Sequence, residues 1–393
     1  MSDCPVNARR KRALKHERQS YRPHFDVLQS AKEIWNKLRL RTNTEDETRA
    51  LADKLFELVV GKISDLGKKH DASRVIQAMI QHGTPSQRAS IFEELRGDIA
   101  ELSKSQYSHF IVLKLLKYSC GEPSARAKFV KAVKNEVVKL GTHSVGARII
   151  EVVLHQFSPK ETAMLKREFY GKQFALFHDE KDNNKSSNKG GNKGGNKGPQ
   201  EGSSSVLSEL IEEHPDQKGS ILGHVKNVIE RAFEKKLFAF SYVHELICSY
   251  AMHADPADVN DLGSPILENC IELISTRFGA SAVAQFAAYS SAKDRKRILK
   301  ALKGYSRMML THRDAYIAVI RLVQVTDDTV TVQKMLLNEL LKPVESAANA
   351  DAMKLHRDRD DDDKKDGESK GKKVKGDDAK DDDVDEVRRV VGY

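Results

Sequence analysis

Three segments of this chain copy one another, and no other feature constrains the fold as strongly. They are Asp71-Ala72-Ser73-Arg74-Val75-Ile76-Gln77, Gln106-Tyr107-Ser108-His109-Phe110-Ile111-Val112 and Val145-Gly146-Ala147-Arg148-Ile149-Ile150-Glu151. Each holds a small residue, then Arg or His, then two apolar residues. Ser73, Ser108 and Ala147 occupy the same place, 35 and 39 residues apart. A short amphipathic segment precedes each copy: Gly61 to Gly67, Asp98 to Leu102 and Glu136 to Leu140. Weaker copies follow at Ser241 to Ile247, Gly279 to Gln285 and Arg313 to Val319. A helical unit recurring at this interval cannot bury its apolar face alone and stacks on its neighbours. The expected fold is therefore all-α, a solenoid of helical repeats.

Two helices are expected ahead of the first copy. Val27, Leu28, Ala31, Ile34, Trp35 and Leu38 keep a helical period, as do Leu51, Leu55, Phe56, Leu58 and Val59. Thr44 with Glu47 three residues later reads as a capping box opening the second. Nothing here alternates with period two, so no sheet is expected. Residues 179–205 are rich in Gly, Asn, Lys and Ser, with Asn-Lys-Gly recurring every four residues, and read as a flexible insertion. Residues 357–389 hold 14 acids and 11 bases with almost no apolar residue, which reads as a solvated tail. The expected organisation is a disordered basic arm over 1–24, helices and repeats over 25–178, the insertion over 179–205, more divergent repeats over 206–355, and a disordered charged tail over 356–393.

The net charge is +9. Because the tail is itself net acidic, the basic excess belongs to the arm and the repeats, which favours a polyanionic partner. Arg9, Arg10, Lys11, Arg12 and Lys15 in the arm serve either as a nuclear address or as phosphate contacts. Four scattered cysteines (Cys4, Cys120, Cys248, Cys270) exclude a thiolate zinc cluster and a disulfide framework, and fit a reducing compartment. No apolar run is long enough to cross a membrane, and no secretory signal opens the chain. The 14 histidines are dispersed, with no His-Glu-x-x-His pattern and no phosphate-binding Gly-rich loop. No catalytic residue, metal or cofactor is expected, and the chain does not read as an enzyme.

On a helix, Ser73 and Gln77 stack one turn apart, while Val75, Ile76, Met79 and Ile80 face neighbouring helices. A hydroxyl and a carboxamide so placed can hydrogen-bond the edge of one base, and the Arg74 guanidinium can lie between successive bases. The same residues also read as an ordinary helix N-terminus, with Ser73 its cap and Arg74 and Gln77 solvated.

The run His70 to Gln77 resembles the base-reading helix of Pumilio (PUF) repeats. Together with Phe92-Glu93-Glu94-Leu95-Arg96 and Ser103-Lys104-Ser105-Gln106-Tyr107-Ser108, it is similar to the nucleolar Puf-A-type members over about Val27 to Leu341. The resemblance implies a curved α-solenoid whose second helices line a concave, nucleic-acid-binding face, and a role in ribosome assembly. In sequence-reading members the first and fifth residues of a five-residue run read one base edge and the second residue stacks. The edge pairs implied here are Ser73/Gln77, Ser108/Val112, Ala147/Glu151, Val243/Ile247, Ser281/Gln285 and Ala315/Val319. Only Ser73/Gln77 and Ser281/Gln285 keep both polar groups, because Val112, Ile247 and Val319 cannot hydrogen-bond. The implied stackers are Arg74, His109, Arg148, His244 and Tyr316, with Ala282 at the remaining place. His109, His244 and Tyr316 read equally as helix-packing residues. The family's chains continue into further repeats, so the array is expected to be a shortened one.

Stacking tolerates any base, whereas discrimination needs edge contacts. The expectation is thus RNA binding with little sequence choice, to ribosomal RNA or its precursor. DNA and pre-ribosomal proteins are further expected partners, the membrane is not, and the implied place is the nucleus and nucleolus. Two other readings stay open: a scaffold holding an acidic protein partner, and a sequence-specific regulator of messenger RNA.

Overall fold

A computed structural model describes residues 21, 23–176 and 204–341. The cluster Arg9, Arg10, Lys11, Arg12 and Lys15, almost all of the 179–205 insertion and the 356–393 tail lie outside the described residues. Among those described, every regular element is a helix. The chain divides into two compact units, Met1–Asp258 and Val259–Tyr393.

The first unit opens with helices Phe25–Leu38 and Glu45–Val59. Thr44 and Glu47 form the anticipated capping box: the Glu47 N–H donates to Thr44 Oγ1 at 3.2 Å and the Thr44 N–H to the Glu47 carboxylate at 2.9 Å. Three repeats follow, each a short first helix, a longer second helix and a third. They are Ile63–Gly67, His70–His82 and Pro85–Leu95; Ile99–Lys104, His109–Ser119 and Pro123–Val133; and Val137–Gly141, Ala147–Gln156 and Pro159–Glu168. The third helices begin at Pro, whose missing N–H costs nothing at a helix start. Val75, Ile76, Met79 and Ile80 are buried, as the periodicity demands. Burying four such side chains supplies roughly 6–12 kcal/mol before chain entropy is set against it.

Buried helix ends must find partners for their orphan N–H and C=O groups, and the repeats solve this in recurring ways. In the first two repeats the fourth residue of the third helix is an arginine that donates to carbonyls closing the helix before it, whereas the third repeat has Thr162 there. Arg88 reaches Ile80 O at 2.8 Å, and Arg126 reaches Gly121 O at 2.8 Å. In the second unit Arg295 reaches Ser290 O at 2.8 Å. A glutamate from a third helix accepts the N–H groups opening a first helix. Glu94 takes Gly61 and Ile63, Glu168 takes Asn135 and Val137, and Glu339 takes Gly304 and Ser306. At each clamp the first donor (Gly61, Asn135 or Gly304) has a positive φ of 79°, 68° or 94°, a left-handed turn suited to Gly or Asn. Burial pushes the Glu168 carboxyl above the usual carboxylate range.

Residues 204–258 complete the described part of the first unit. Ser204–Glu213 begins just inside the expected insertion, and Lys218–Glu234 is a long helix that the three-helix unit does not predict. Its apolar stripe is legible in Ile221, Val225, Val228, Ile229 and Ala232, all buried. Ser241–His253 is the second helix of the fourth copy and packs on Ala147–Gln156. Lys166 and Glu245 pair at 2.9 Å across this junction.

The second unit holds second helices Arg277–Tyr289 and Tyr316–Val325, packed on each other. Gly263–Glu268, Cys270–Leu273 and Ala292–Ala301 flank the former, and Ser306–Thr311 with a helical run over 329–340 flanks the latter.

Candidate nucleic-acid interface

In the first unit the helices His70–His82, His109–Ser119, Ala147–Gln156 and Ser241–His253 lie in a row, each touching the next. This row carries the candidate residues. Ser73 is 2% exposed. Its hydroxyl donates to Tyr107 O at 2.9 Å and accepts from Gln77 Nε2 at 2.9 Å. It is not the helix cap, since the helix starts at His70. The first edge pair is thus bonded to itself and to the next repeat, with Gln77 half-buried beside it.

Ser108 is a correction to the expected base-edge role. It is buried, donating to Gly67 O at 2.7 Å and accepting from Ser105 at 3.1 Å, so its hydroxyl joins neighbouring repeats. Tyr242 does the same two second helices on, donating its phenol O–H to Gly141 O. Glu151 is a second correction. At 3% exposure its carboxylate accepts the N–H of Ser241 at 3.0 Å and of Tyr242 at 3.4 Å. An anion belongs at such a helix start, and Glu151 closes the first unit across the insertion instead of facing a base. Burial, with Glu151 nearby, pushes the Tyr242 phenol well above its ordinary value.

The implied stackers split in two. Arg74 and Arg148 are exposed, and so is Tyr316, at 41%. His109 and His244 are buried, which corrects their expected role: a ring enclosed by its own helices has no face left for a base. His109 Nδ1 meets Ser105 O at 3.0 Å, and its ring lies on Phe110. His244 contacts Phe238 O through Nε2 and has no exposed surface. Desolvation lowers both imidazoles below the ordinary histidine value, and the Arg148 charge lowers His109 further.

In the second repeat the exposed ring is Tyr107, two residues before His109 and 45% exposed. It meets His70 edge-on at 4.0 Å, and its carbonyl holds Ser73, next to Arg74. The sequence reading passed over Tyr107 because it lies outside the five-residue run. In the second unit Ser281 and Gln285 are half-buried and make no hydrogen bond among the described residues, while Ala282 is buried. Among the six pairs, this one alone combines two polar side chains with open hydrogen-bonding groups on both.

Two histidines outside the run act as caps. His143 Nδ1 accepts the N–H of Val145 and Gly146, each at 3.2 Å, and His312 does so for Asp314 and Ala315. Burial, then the charges of Lys104 and Lys235, lower the His143 imidazole, which keeps Nδ1 free to accept. Cys120, Cys248 and Cys270 are buried free thiols; burial pushes Cys120 up to about 12 and the other two up to about 11. Among the described residues no group of His, Cys, Asp and Glu could hold a metal ion, and no helix is long and apolar enough to cross a membrane.

These features define a class: an array of three-helix repeats displaying the outer residues of its second helices. Comparison with known proteins narrows it. The Pumilio-family RNA binding repeat matches residues 72–96. "Pumilio homology domain family member 6" of Schizosaccharomyces pombe is 29% identical over 337 residues, which is 85% of this chain and 48% of that protein. "Pumilio homolog 3" of Rattus norvegicus is 29% identical over 344 residues, 87% of this chain and 50% of that one. The chain thus spans about half the length of the curated relatives it matches. The crystal structure of human Puf-A in complex with DNA superposes with a TM-score of 0.68 at 27% identity, covering 81% of this chain and 59% of that one. Human Puf-A by itself gives 0.69 at 25% identity, over 93% and 69%. The chain is similar in sequence to Pumilio repeat proteins and in fold to human Puf-A.

Proposed function

We propose that this protein binds single-stranded RNA along its second helices with affinity but little sequence choice, and acts in ribosomal RNA processing and large-subunit assembly in the nucleolus. One observation carries the low specificity. The groups that would read base edges are spent inside the fold, at Ser73, Ser108 and Glu151, while Arg74, Tyr107, Arg148 and Tyr316 stay exposed. Base–aromatic stacking is worth about 1–3 kcal/mol per base whatever the base. Only Ser281/Gln285 keeps an open pair, and one good edge pair supplies about 1–3 kcal/mol of discrimination. Kinship with Puf-A-type proteins supports the ribosomal role, and the basic cluster from Arg9 to Lys15 supports nuclear import. RNA is named over DNA because the matched repeat is an RNA-binding one; the DNA in the human Puf-A crystal makes DNA the natural competitor. Ribosomal precursors and the proteins assembled on them are the expected cellular partners.

The test is binding of unrelated single-stranded RNAs and DNAs of equal length across a salt series. A steep fall with salt for every sequence fits phosphate contacts plus stacking. Binding of an acidic peptide with no RNA binding would move the protein to the scaffold reading.

A further inference from the structure

Ser73 and Gln77 form a relay that runs from the first repeat into the second. Gln77 Nε2 donates to Ser73 Oγ at 2.9 Å, and Ser73 Oγ donates to Tyr107 O at 2.9 Å. A hydroxyl has one proton to give, so accepting from Gln77 leaves that proton for the Tyr107 carbonyl. The carbonyl can take it because Ile111, whose N–H in a regular helix would bond Tyr107 O, donates instead to Ser108 O at 2.9 Å. Tyr107 lies in the turn between Ile99–Lys104 and His109–Ser119. The preceding repeat holds this turn at two more points. Ser108 Oγ donates to Gly67 O at 2.7 Å, and the His70 ring meets the Tyr107 ring edge-on at 4.0 Å.

Despite these ties Tyr107 is 45% exposed, and Arg74, the neighbour of Ser73, is exposed as well. At the next junction no ring stands in this place. Gly146 occupies it, and His143 secures the turn by accepting the Val145 and Gly146 N–H groups. We propose, on the stacking reading above, that Ser73 and Gln77 are positioning residues. They fix the Tyr107 turn from the repeat before it, so that the ring is held ready to stack on a base. The pair that the sequence casts as a base reader thus acts on RNA through a tyrosine 34 residues from Ser73. Holding in advance a side chain that binding would otherwise have to order is worth roughly two- to tenfold in affinity.

The experiment is a double-mutant cycle on the full chain, with one mixed-sequence single-stranded RNA as the probe and circular dichroism setting the folded concentration of each variant. Tyr107→Ala should weaken binding about 5- to 150-fold, the worth of one stack. Ser73→Ala and Gln77→Met should each weaken it roughly two- to tenfold and leave the order of preferred sequences unchanged. In the Tyr107→Ala background the same two changes should alter affinity by less than about twofold, because the residue they position is gone. Equal losses from Ser73→Ala in both backgrounds would overturn the proposal and make Ser73 a direct RNA contact. So would unchanged affinity in Ser73→Ala and Gln77→Met beside a lowered urea midpoint, which would leave the relay a packing feature. If Tyr107→Ala has no effect while Arg74→Ala and Arg148→Ala weaken binding, the positioning role fails and stacking elsewhere stands. If none of the three weakens binding, the stacking reading fails with it.

Discussion

Replacing Glu151 separates a base-reading role from a structural one. The carboxylate, 3% exposed, accepts one good hydrogen bond from Ser241 N–H at 3.0 Å and a longer one from Tyr242 N–H at 3.4 Å. Glu151→Ala strands both donors at a helix start. A buried unsatisfied N–H costs about 1–3 kcal/mol, and the lost anion at the N-terminus about 0.3–1 kcal/mol more. Counting the longer bond at a fraction of the shorter gives about 2–3 kcal/mol. Hydrogen exchange of Ser241–His253 reads this directly, because local opening of that helix, not global unfolding, is what the carboxylate resists. Amides there should exchange roughly 30- to 150-fold faster. Glu151→Gln keeps one acceptor oxygen but turns an NH2 toward the second donor, so a change of roughly tenfold is expected. RNA affinity of the folded molecules should stay within about twofold in both, and so should the order of preferred sequences. Unchanged exchange together with a shifted base preference would refute the reasoning and return Glu151 to the RNA.

Further expectations follow from the same geometry. Arg74→Ala and Arg148→Ala should each weaken binding to unrelated RNAs by similar factors, about 1–3 kcal/mol, read by filter binding; a change confined to one sequence would contradict a stacking role. Tyr107→Ala should behave likewise, whereas His109→Ala should lower the urea midpoint and leave the affinity of the folded protein nearly intact. Folding lowers the His109, His143 and His244 imidazoles below 6.5, so what they contribute as neutral rings is fully present above pH 6.5 and is lost as pH falls below it through their lowered folded values. The urea midpoint should therefore drop between pH 7.5 and pH 5.5. His143→Asn, which can still cap, should shrink that drop, and an equal drop in both proteins would show that His143 does not titrate.

Much of the fold was legible because repeats announce themselves through spacing. The copies at Ser73, Ser108 and Ala147 place three second helices, and Thr44 with Glu47 places an N-terminus to within a residue. The Lys218–Glu234 helix does not follow from the repeat spacing, although its apolar stripe is present, because it copies no part of the repeated motif. The interface was less legible. A five-residue pattern says which residues share a helix face, but not whether a later segment will cover it. His244 and Glu151 carry the right chemistry for RNA, yet the fold spends it on Phe238 O and on the start of Ser241–His253. The clamps of Glu94, Glu168 and Glu339 were equally hidden, since each acts on a segment more than thirty residues away.

The central claim is that this surface holds RNA without choosing its sequence, and selection from a random RNA pool at near-physiological salt tests it most directly. The account predicts no extended consensus, a short bias at most from Ser281/Gln285, and unrelated RNAs of equal length binding within roughly a hundredfold of one another, about 2.7 kcal/mol. A single motif of six or more bases emerging from that selection would contradict it.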